Sequence, residues 1–391
     1  MAEGNNLKIS YNRKATNAAA TSALQVLNWN SETFTATKGT AQDETVRSDG
    51  NKKGLIVTDF SGSGGFASEF GYDWSDDIYE AALRSVFESQ DTITATTIST
   101  TAGTPATISD SANGLDVFEV GDIIWMTGHA SATLTGAFYV VTSSAAALTV
   151  TPLDSSVTMA TEAASASVTI STSRMMNANA NNYFDFERAF TDVSSTFHAY
   201  FNLQVDTLNI EFGAASKVTF GVTFVGDDHT APTATIGSSY VDASTTDALD
   251  TKNHYIGSLI GYDGGALAQA GSCVTKLSFA ISNTARRTPC LGSDASLGKG
   301  AFTVSGSVDM LFNGNTHYDK FISHGEVALA AAIANSSGFG YGFYWPNARF
   351  TSADVNVSGM DLDVPQTFAF TAGLKTIGSD TFTMKMCKLG Q

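Results

Sequence analysis

The chain is 391 residues long, 43% hydrophobic and only 15% charged, and its 21 basic against 38 acidic residues leave a net charge of −17 with a pI near 4.6. That length sets an expectation of two or three domains with sizeable cores, and the abundance of Thr, Ser, Ala and Gly favours β-sheet over helix. The excess of acid excludes a protein that grips nucleic acid through its phosphates, because that grip needs Lys and Arg to neutralise them.

Residues 7–11 read as a short strand, and 24–37 as a strand pair around Asn30-Ser31. Residues 38–53 carry Asp43, Glu44, Arg47, Asp49, Lys52 and Lys53 with almost no apolar anchor. A long polar loop inside a β-rich unit is uncommon unless it binds something. Residues 55–60 are strand-like and lead into the Gly62–Gly65 turn, which is too short for a phosphate loop. Ser75 is placed to cap a helix over 76–88, with Asp76 and Asp77 in its first turn. Tyr79, Ala82, Leu83, Val86 and Phe87 form its apolar stripe.

Residues 91–173 hold β-branched and aromatic runs divided by Gly128, Gly136 and Ser143-Ser144, which suits a small inserted β-domain. Beyond them, Leu208, Ile210 and Phe212 alternate with polar residues, as do Val218, Phe220, Val222 and Phe224, predicting a hairpin with one buried and one polar face. Residues 227–250, rich in Thr, Ala and Asp, read as a linker.

Part of the pattern recurs. Ser48-Asp49, Lys53-Gly54 and Ser61-Gly62-Ser63 return as Ser293-Asp294, Lys299-Gly300 and Ser305-Gly306-Ser307, each followed by a helical segment. Thr219-Phe220 is answered by Thr367-Phe368. The sequence therefore predicts a mainly β protein of two tandem antiparallel sandwich-like units. The first covers residues 1–90 and 174–226, the insert 91–173, connecting strands 227–270, and the second unit 271–391. Residues 283–299, with Arg286, Arg287 and Lys299, answer the loop at 38–53.

No enzyme constellation stands out: there is no HExxH, GxSxG or P-loop. Cys273, Cys290 and Cys387 lack metal or disulfide spacing, and the six histidines are scattered. Asp242, Asp247 and Asp250 miss the EF-hand spacing and read as a solvated acidic loop. No catalytic residue, metal or cofactor is expected. Residues 1–10 lack an apolar leader and no run of 18 apolar residues occurs, so the expected site of synthesis is the cytoplasm, with no membrane partner.

The block from Arg47-Ser48-Asp49 through the helix, the run Tyr183-Phe184-Asp185-Phe186-Glu187-Arg188 with Phe190-Thr191-Asp192-Val193, residues 205–226, and in the second copy Tyr318-Asp319-Lys320-Phe321 with 349–359 resemble the major tail protein of siphophages, the subunit of the tail tube. The resemblance implies two packed sheets with a flanking helix in each unit, and rings of six such folds. With two folds per chain, it implies a trimeric, pseudo-sixfold ring that stacks helically. It further implies the tape-measure protein, tail terminator and distal tail or baseplate proteins as partners, with double-stranded DNA passing without specific binding. By position, Asp43, Glu44, Arg47, Asp49, Lys52, Lys53, Arg286, Arg287 and Lys299 fall in inter-ring stacking loops. Glu187, Asp206, Glu211, Asp309, Asp354 and Asp361 are the acidic candidates for the lumen, and the insert belongs on the outside. The competing readings are an outer-membrane β-barrel channel and a glycan-binding fibre or adhesin with Trp125 and Tyr139 as its stacking platform.

Overall fold

The computed structural model describes residues 3–17, 19, 21–131, 134–164, 167–271, 273–291, 293–357, 359–360 and 362–390. The chain opens with β1 (Leu7–Lys14), β2 (Leu24–Val26), β3 (Ser31–Glu32), β4 (Thr35–Gln42) and β5 (Leu55–Glu69), then α1 (Asp76–Leu83). Asp76 and Asp77 lie at the positive end of the helix dipole. The helix is shorter than the sequence suggests. Arg84 takes a left-handed conformation (φ 54°), its N–H and that of Ser85 return to the carbonyls of Ala81 and Glu80, and Val86 ends up 54% exposed. Ser75 makes no side-chain cap; its carbonyl instead accepts from Ile78 and Tyr79.

The insert comprises β6 (Asp91–Ala95), β7 (Ile98–Thr101), β8 (Ala106–Asp110), β9 (Ile123–Thr127), β10 (Gly136–Ser143), β11 (Ala147–Pro152) and β12 (Val168–Met176). Their antiparallel order is β6-β12-β9-β10-β11-β8-β7. Alternation gives this sheet two apolar faces. Ile98, Ile108, Ile124, Phe138, Val140 and Ile170 fill a core of its own, while Ile123, Trp125, Ala137 and Tyr139 pack against the rest of the protein.

Next come β13 (Tyr183–Phe190), β14 (Phe197–Gly213), β15 (Thr219–Val225), β16 (Asp228–Thr230) and β17 (Tyr240–Val241). The remainder holds β18 (Tyr255–Tyr262), β19 (Ala268–Gln269), β20 (Val274–Ser282), β21 (Arg286–Cys290), β22 (Ser293–Gly298), β23 (Thr303–Leu311), α2 (Thr316–Ile322), β24 (Val327–Ala334), β25 (Gly340–Val355), β26 (Pro365–Ala372), β27 (Lys375–Ile377), β28 (Asp380–Phe382) and β29 (Lys385–Leu389). β18 pairs along its length with β24, so the pairing of the second half begins at Tyr255, inside the stretch expected only to connect.

The two halves follow one route. In the first, β1 pairs with β13 and β13 with the start of β14. The rest of β14 then pairs with β15, β15 with β5, and β5 with β4. In the second, β18 pairs with β24 and β24 with the start of β25. The rest of β25 then pairs with β26, β26 with β23, and β23 with β20. β14 and β25 are thus the strands that pass from an outer sheet to an inner one. An antiparallel rung set from Thr207↔Ser282 to Gly213↔Lys276 joins the halves into one inner sheet of order β4-β5-β15-β14-β20-β23-β26-β25.

The inner face of this sandwich is nearly all apolar. Phe66, Leu208, Ile210, Phe220, Val222, Phe279, Ile281, Val304, Phe368 and Phe370 are all buried, each contributing about 1.5–3 kcal/mol through water exclusion. Aromatic rings carry the core across the join, with Phe212 to Phe343 at 5.7 Å, Phe343 to Phe279 at 5.2 Å and Phe279 to Trp345 at 5.0 Å. The insert is seated on the outer sheet of the second half. β12 pairs with both β6 and β29, and Ile123 approaches Gly342 so closely that a Cβ there would lie 2.7 Å from the Ile123 Cβ.

Candidate functional site

The opposite face of the inner sheet is polar and uncovered by any element of the chain among the described residues. Period-two alternation that buries Phe220, Val222 and Ile210 turns Thr219, Gly221, Thr223, Thr207, Asn209 and Glu211 outward. In the second half the same alternation presents Ser278, Ala280, Ser305, Ser307, Ala369 and Thr371. The hydroxyls satisfy one another: Thr207 and Thr223 are 2.6 Å apart, Ser278 and Ser307 2.9 Å. A shallow hollow of about 440 Å³ runs along this face between Asn209, Ser278, Ser307 and Ala369. It is a wall of hydroxyls, methyls and glycines without a deep recess.

Charges collect at one end of the wall and largely pair. Lys276 lies 2.9 Å from Glu211, and Lys217 2.6 Å from Glu69. Asp309 stands opposite Lys276 and Asp354 opposite Thr367, placing both on the same face and at the same end. Three of the acidic candidates, Glu211, Asp309 and Asp354, therefore lie on the wall. Two do not. Glu187 is fully buried, its carboxylate accepting from the Ile236 N–H at 2.7 Å, the Tyr240 hydroxyl at 2.5 Å and Thr235 at 3.2 Å. Residues 235–240 are strapped over β13 by that carboxylate, so they are no free linker either. Asp206 sits at a bulge and accepts from the Ala285 N–H at 2.8 Å, tying down a neighbouring arm. Asp361 lies outside the described residues.

Two arms leave the sheet at its other end. The first is the ribbon of β4 and the start of β5 with the tip 43–54, exposed along nearly its whole length. Asp43 pairs with Lys53 at 2.9 Å and Arg47 with Asp49 at 2.8 Å, while Glu44 and Lys52 are exposed. Val46 is fully exposed, and Leu55, Ile56 and Val57 are each more than half exposed. A β-ribbon with free edges and a bare apolar stretch is unstable against association unless something covers it.

The second arm, β21 and β22, is instead tied to the first half. Arg287 holds both oxygens of Asp59 at 2.7 and 2.9 Å and the Phe60 carbonyl at 2.9 Å, and Lys299 donates to the carbonyls of Asn179 and Ala180. The Arg287 guanidinium keeps the Asp59 carboxyl below its ordinary range. Of the stacking-loop candidates, Arg287 and Lys299 are thus used within the chain, and Arg286 stays exposed. Sequence reading missed Arg84, whose side chain clamps the neck of this arm. The charge stands alone after a helix, and nothing in its sequence neighbourhood announces a partner two hundred positions away.

His229 sits beside the first arm's base, 4.6 Å from the Tyr200 ring and 5.9 Å from Phe60, with a buried Nε2 that has no hydrogen-bond partner among the described residues. Burial, then His198 and Arg188, lower its pKa from the usual value. The unfolded chain binds the proton more readily, so this site stabilises the fold above about pH 6.5 and loses that contribution as pH falls below it. The melting temperature is expected to drop between pH 7.5 and 5.5, and His229→Gln to flatten the dependence. An unchanged slope in the variant would assign the effect elsewhere.

Trp125 and Tyr139 are buried in the insert's contact with β24 and β25, Tyr139 5.1 Å from Tyr344, so they form no glycan platform. Among the described residues no group of His, Cys, Asp and Glu could hold a metal, and no helix is long and apolar enough to cross a membrane. Asp250 of the acidic trio accepts from the N–H groups of Lys252 and Asn253, closing a turn.

No curated protein sequence matches the chain. The sequence profile described as phage tail tube protein matches residues 4–372, which takes in both halves and the insert. With a mainly β sandwich, an uncovered polar sheet face and arms projecting from one end of it, the chain belongs to the phage tail tube protein family, structural components of the virion tail.

Proposed function

We propose that three copies of this chain close into a ring whose bore is the polar face of the inner sheet, and that rings stack helically through the arms into the tail tube. The observation that carries this is an inner sheet of eight strands that is apolar and packed on one side, bare and hydroxyl-lined on the other, and open at both edges. Three such sheets supply six sandwich units, and closure removes the open edges.

The tube grows around a tape-measure protein, meets terminator and distal tail or baseplate proteins at its ends, and later conducts double-stranded DNA. The wall suits passage because its hydroxyls and methyls offer phosphates no cationic row, and its lysines are held by Glu211 and Glu69. The net charge of −17 adds a repulsive field. This differs from a wall dominated by bare carboxylates, since acid is confined to one end. The first arm, with Asp43, Glu44, Arg47, Asp49, Lys52 and Lys53, contacts the next ring. The insert lies on the exterior, on the far side of the outer sheet from the bore.

An outer-membrane barrel would turn its apolar side chains to lipid. Here those side chains face one another across the sandwich. Negative-stain microscopy of the purified protein without DNA tests the proposal. Rings or tubes with threefold, pseudo-sixfold symmetry are expected, and a protein that stays monomeric at high concentration would refute it.

A further inference from the structure

We infer that the recess at the neck of the second arm is a binding site for one small oxyanion, held by the charges of Arg84 and Lys299 and by the side-chain amides of Asn182 and Gln204.

A buried charge without a counter-charge comes first. Among the described residues three Lys or Arg residues are buried: Lys14, Arg84 and Lys385. Lys14 faces Asp185 at 2.8 Å and Lys385 faces Asp122 at 2.9 Å. Arg84, only 6% exposed, has no carboxylate within ion-pairing reach among the described residues. Its Nε and Nη2 donate to the Asn283 side chain and carbonyl, both at 2.7 Å, and to the Gly300 carbonyl at 3.0 Å. The guanidinium carbon also lies 5.9 Å from the centre of the Phe302 ring. Nη1 makes no hydrogen bond among the described residues. Lys299 lines the same recess and donates to the carbonyls of Asn179 and Ala180, again without a carboxylate. Burial lowers the pKa of both cations, and the Arg84 charge lowers that of Lys299 further. Two like charges withdrawn from water are costly unless an anion joins them.

The amides point the same way. Gln204 is 6% exposed and lines the recess, yet its side chain makes no hydrogen bond among the described residues. The Asn182 Oδ1 accepts from Arg13 Nε at 3.0 Å, which fixes Nδ2 as the donor, and that Nδ2 is buried with no partner among the described residues. An oxyanion has the charge and the lone pairs to satisfy cations and amides together, whereas water brings no charge. The recess holds about 20 Å³ and no Asp or Glu lines it, so its occupant is a head group of phosphate, sulfate or carboxylate size. Its walls come from the turn after α1, residues 180–182, β14 and the neck at Asn283 and Lys299, so a bound anion ties the second arm to the first half. The anion is either a free ion or a carboxylate of a second copy.

Equilibrium dialysis of the full chain against radiolabelled orthophosphate at constant ionic strength tests this, on dilute chain and on pelleted tubes. Saturable binding of one phosphate per chain is expected. Lys299→Gln should weaken it about tenfold, the worth of one charge-assisted hydrogen bond. Gln204→Met should weaken it by a smaller factor, and Lys252→Gln, at an exposed lysine elsewhere, should leave it unchanged. Arg84 is kept because it also holds the neck. Binding by dilute chain and tubes alike assigns the site to a free ion. Binding by dilute chain alone assigns it to a carboxylate that a second copy supplies on assembly. Dilute chain that binds no phosphate, binding that never saturates, or binding that Lys299→Gln and Gln204→Met reduce no more than Lys252→Gln does, would overturn the inference.

Discussion

Replacing Asp122 by alanine is expected to destabilise the protein by about 3–5 kcal/mol, the range for leaving a buried charge without its partner. Asp122 is fully buried where the insert meets the second half. It accepts from the Lys385 ammonium at 2.9 Å, Arg174 at 3.1 Å and the Glu119 N–H at 2.8 Å. Arg174 would keep Glu88, Asp91 and Glu119 within 3.3 Å. Among the described residues Lys385 would keep Glu119, at 3.8 Å, the Val120 carbonyl and the face of the Phe382 ring at 5.2 Å, while its own side chain is 1% exposed. Denaturant unfolding followed through buried Trp125 and Trp345 measures the loss. Lys385→Met added to Asp122→Ala should recover most of it, because the stranded cation is gone. A single-variant loss under about 1 kcal/mol would mean that the ammonium reaches water when its partner is removed.

The second large effect concerns assembly. Replacing residues 43–54 by Asn-Gly, which closes the β4–β5 ribbon where Gln42 faces Leu55, should abolish tubes while leaving the melting transition within about 0.5 kcal/mol. The excised tip is exposed and makes its ion pairs only within itself, so the fold loses little. Rings should persist, since the ring edges lie elsewhere. Sedimentation and microscopy decide the outcome: normal tubes from the shortened chain would remove the arm from ring stacking.

Much of the fold is legible in local patterns. The alternation over 208–212 and 218–224 became the paired strands β14 and β15 with the expected buried face. The Ser-Gly-Ser repeats fell on β5 and β23, which hold corresponding places in the inner sheet, but four residues out of step: with Phe220 answering Phe368, Ser305 corresponds to Gly65 and not to Ser61. The insert at 91–173 has its own core. The acidic candidates were harder, because an acidic residue on an alternating strand reads the same whether its face meets solvent or another segment. Glu187 and Glu211 both alternate with apolar residues. Only the strap of 235–240 folding over β13 separates a buried carboxylate from one on the wall.

Composition and period-two alternation by themselves determined that this is a β protein whose strands have one apolar and one polar face, since those properties depend only on neighbours along the strand. The tertiary structure alone decided which charges pair, which loop is tied down and which projects, and where the two halves join. Arg84 with Asn283, Arg287 with Asp59 and Lys385 with Asp122 are contacts between residues far apart in the chain, and their strength comes from burial and geometry created only when the sheets pack.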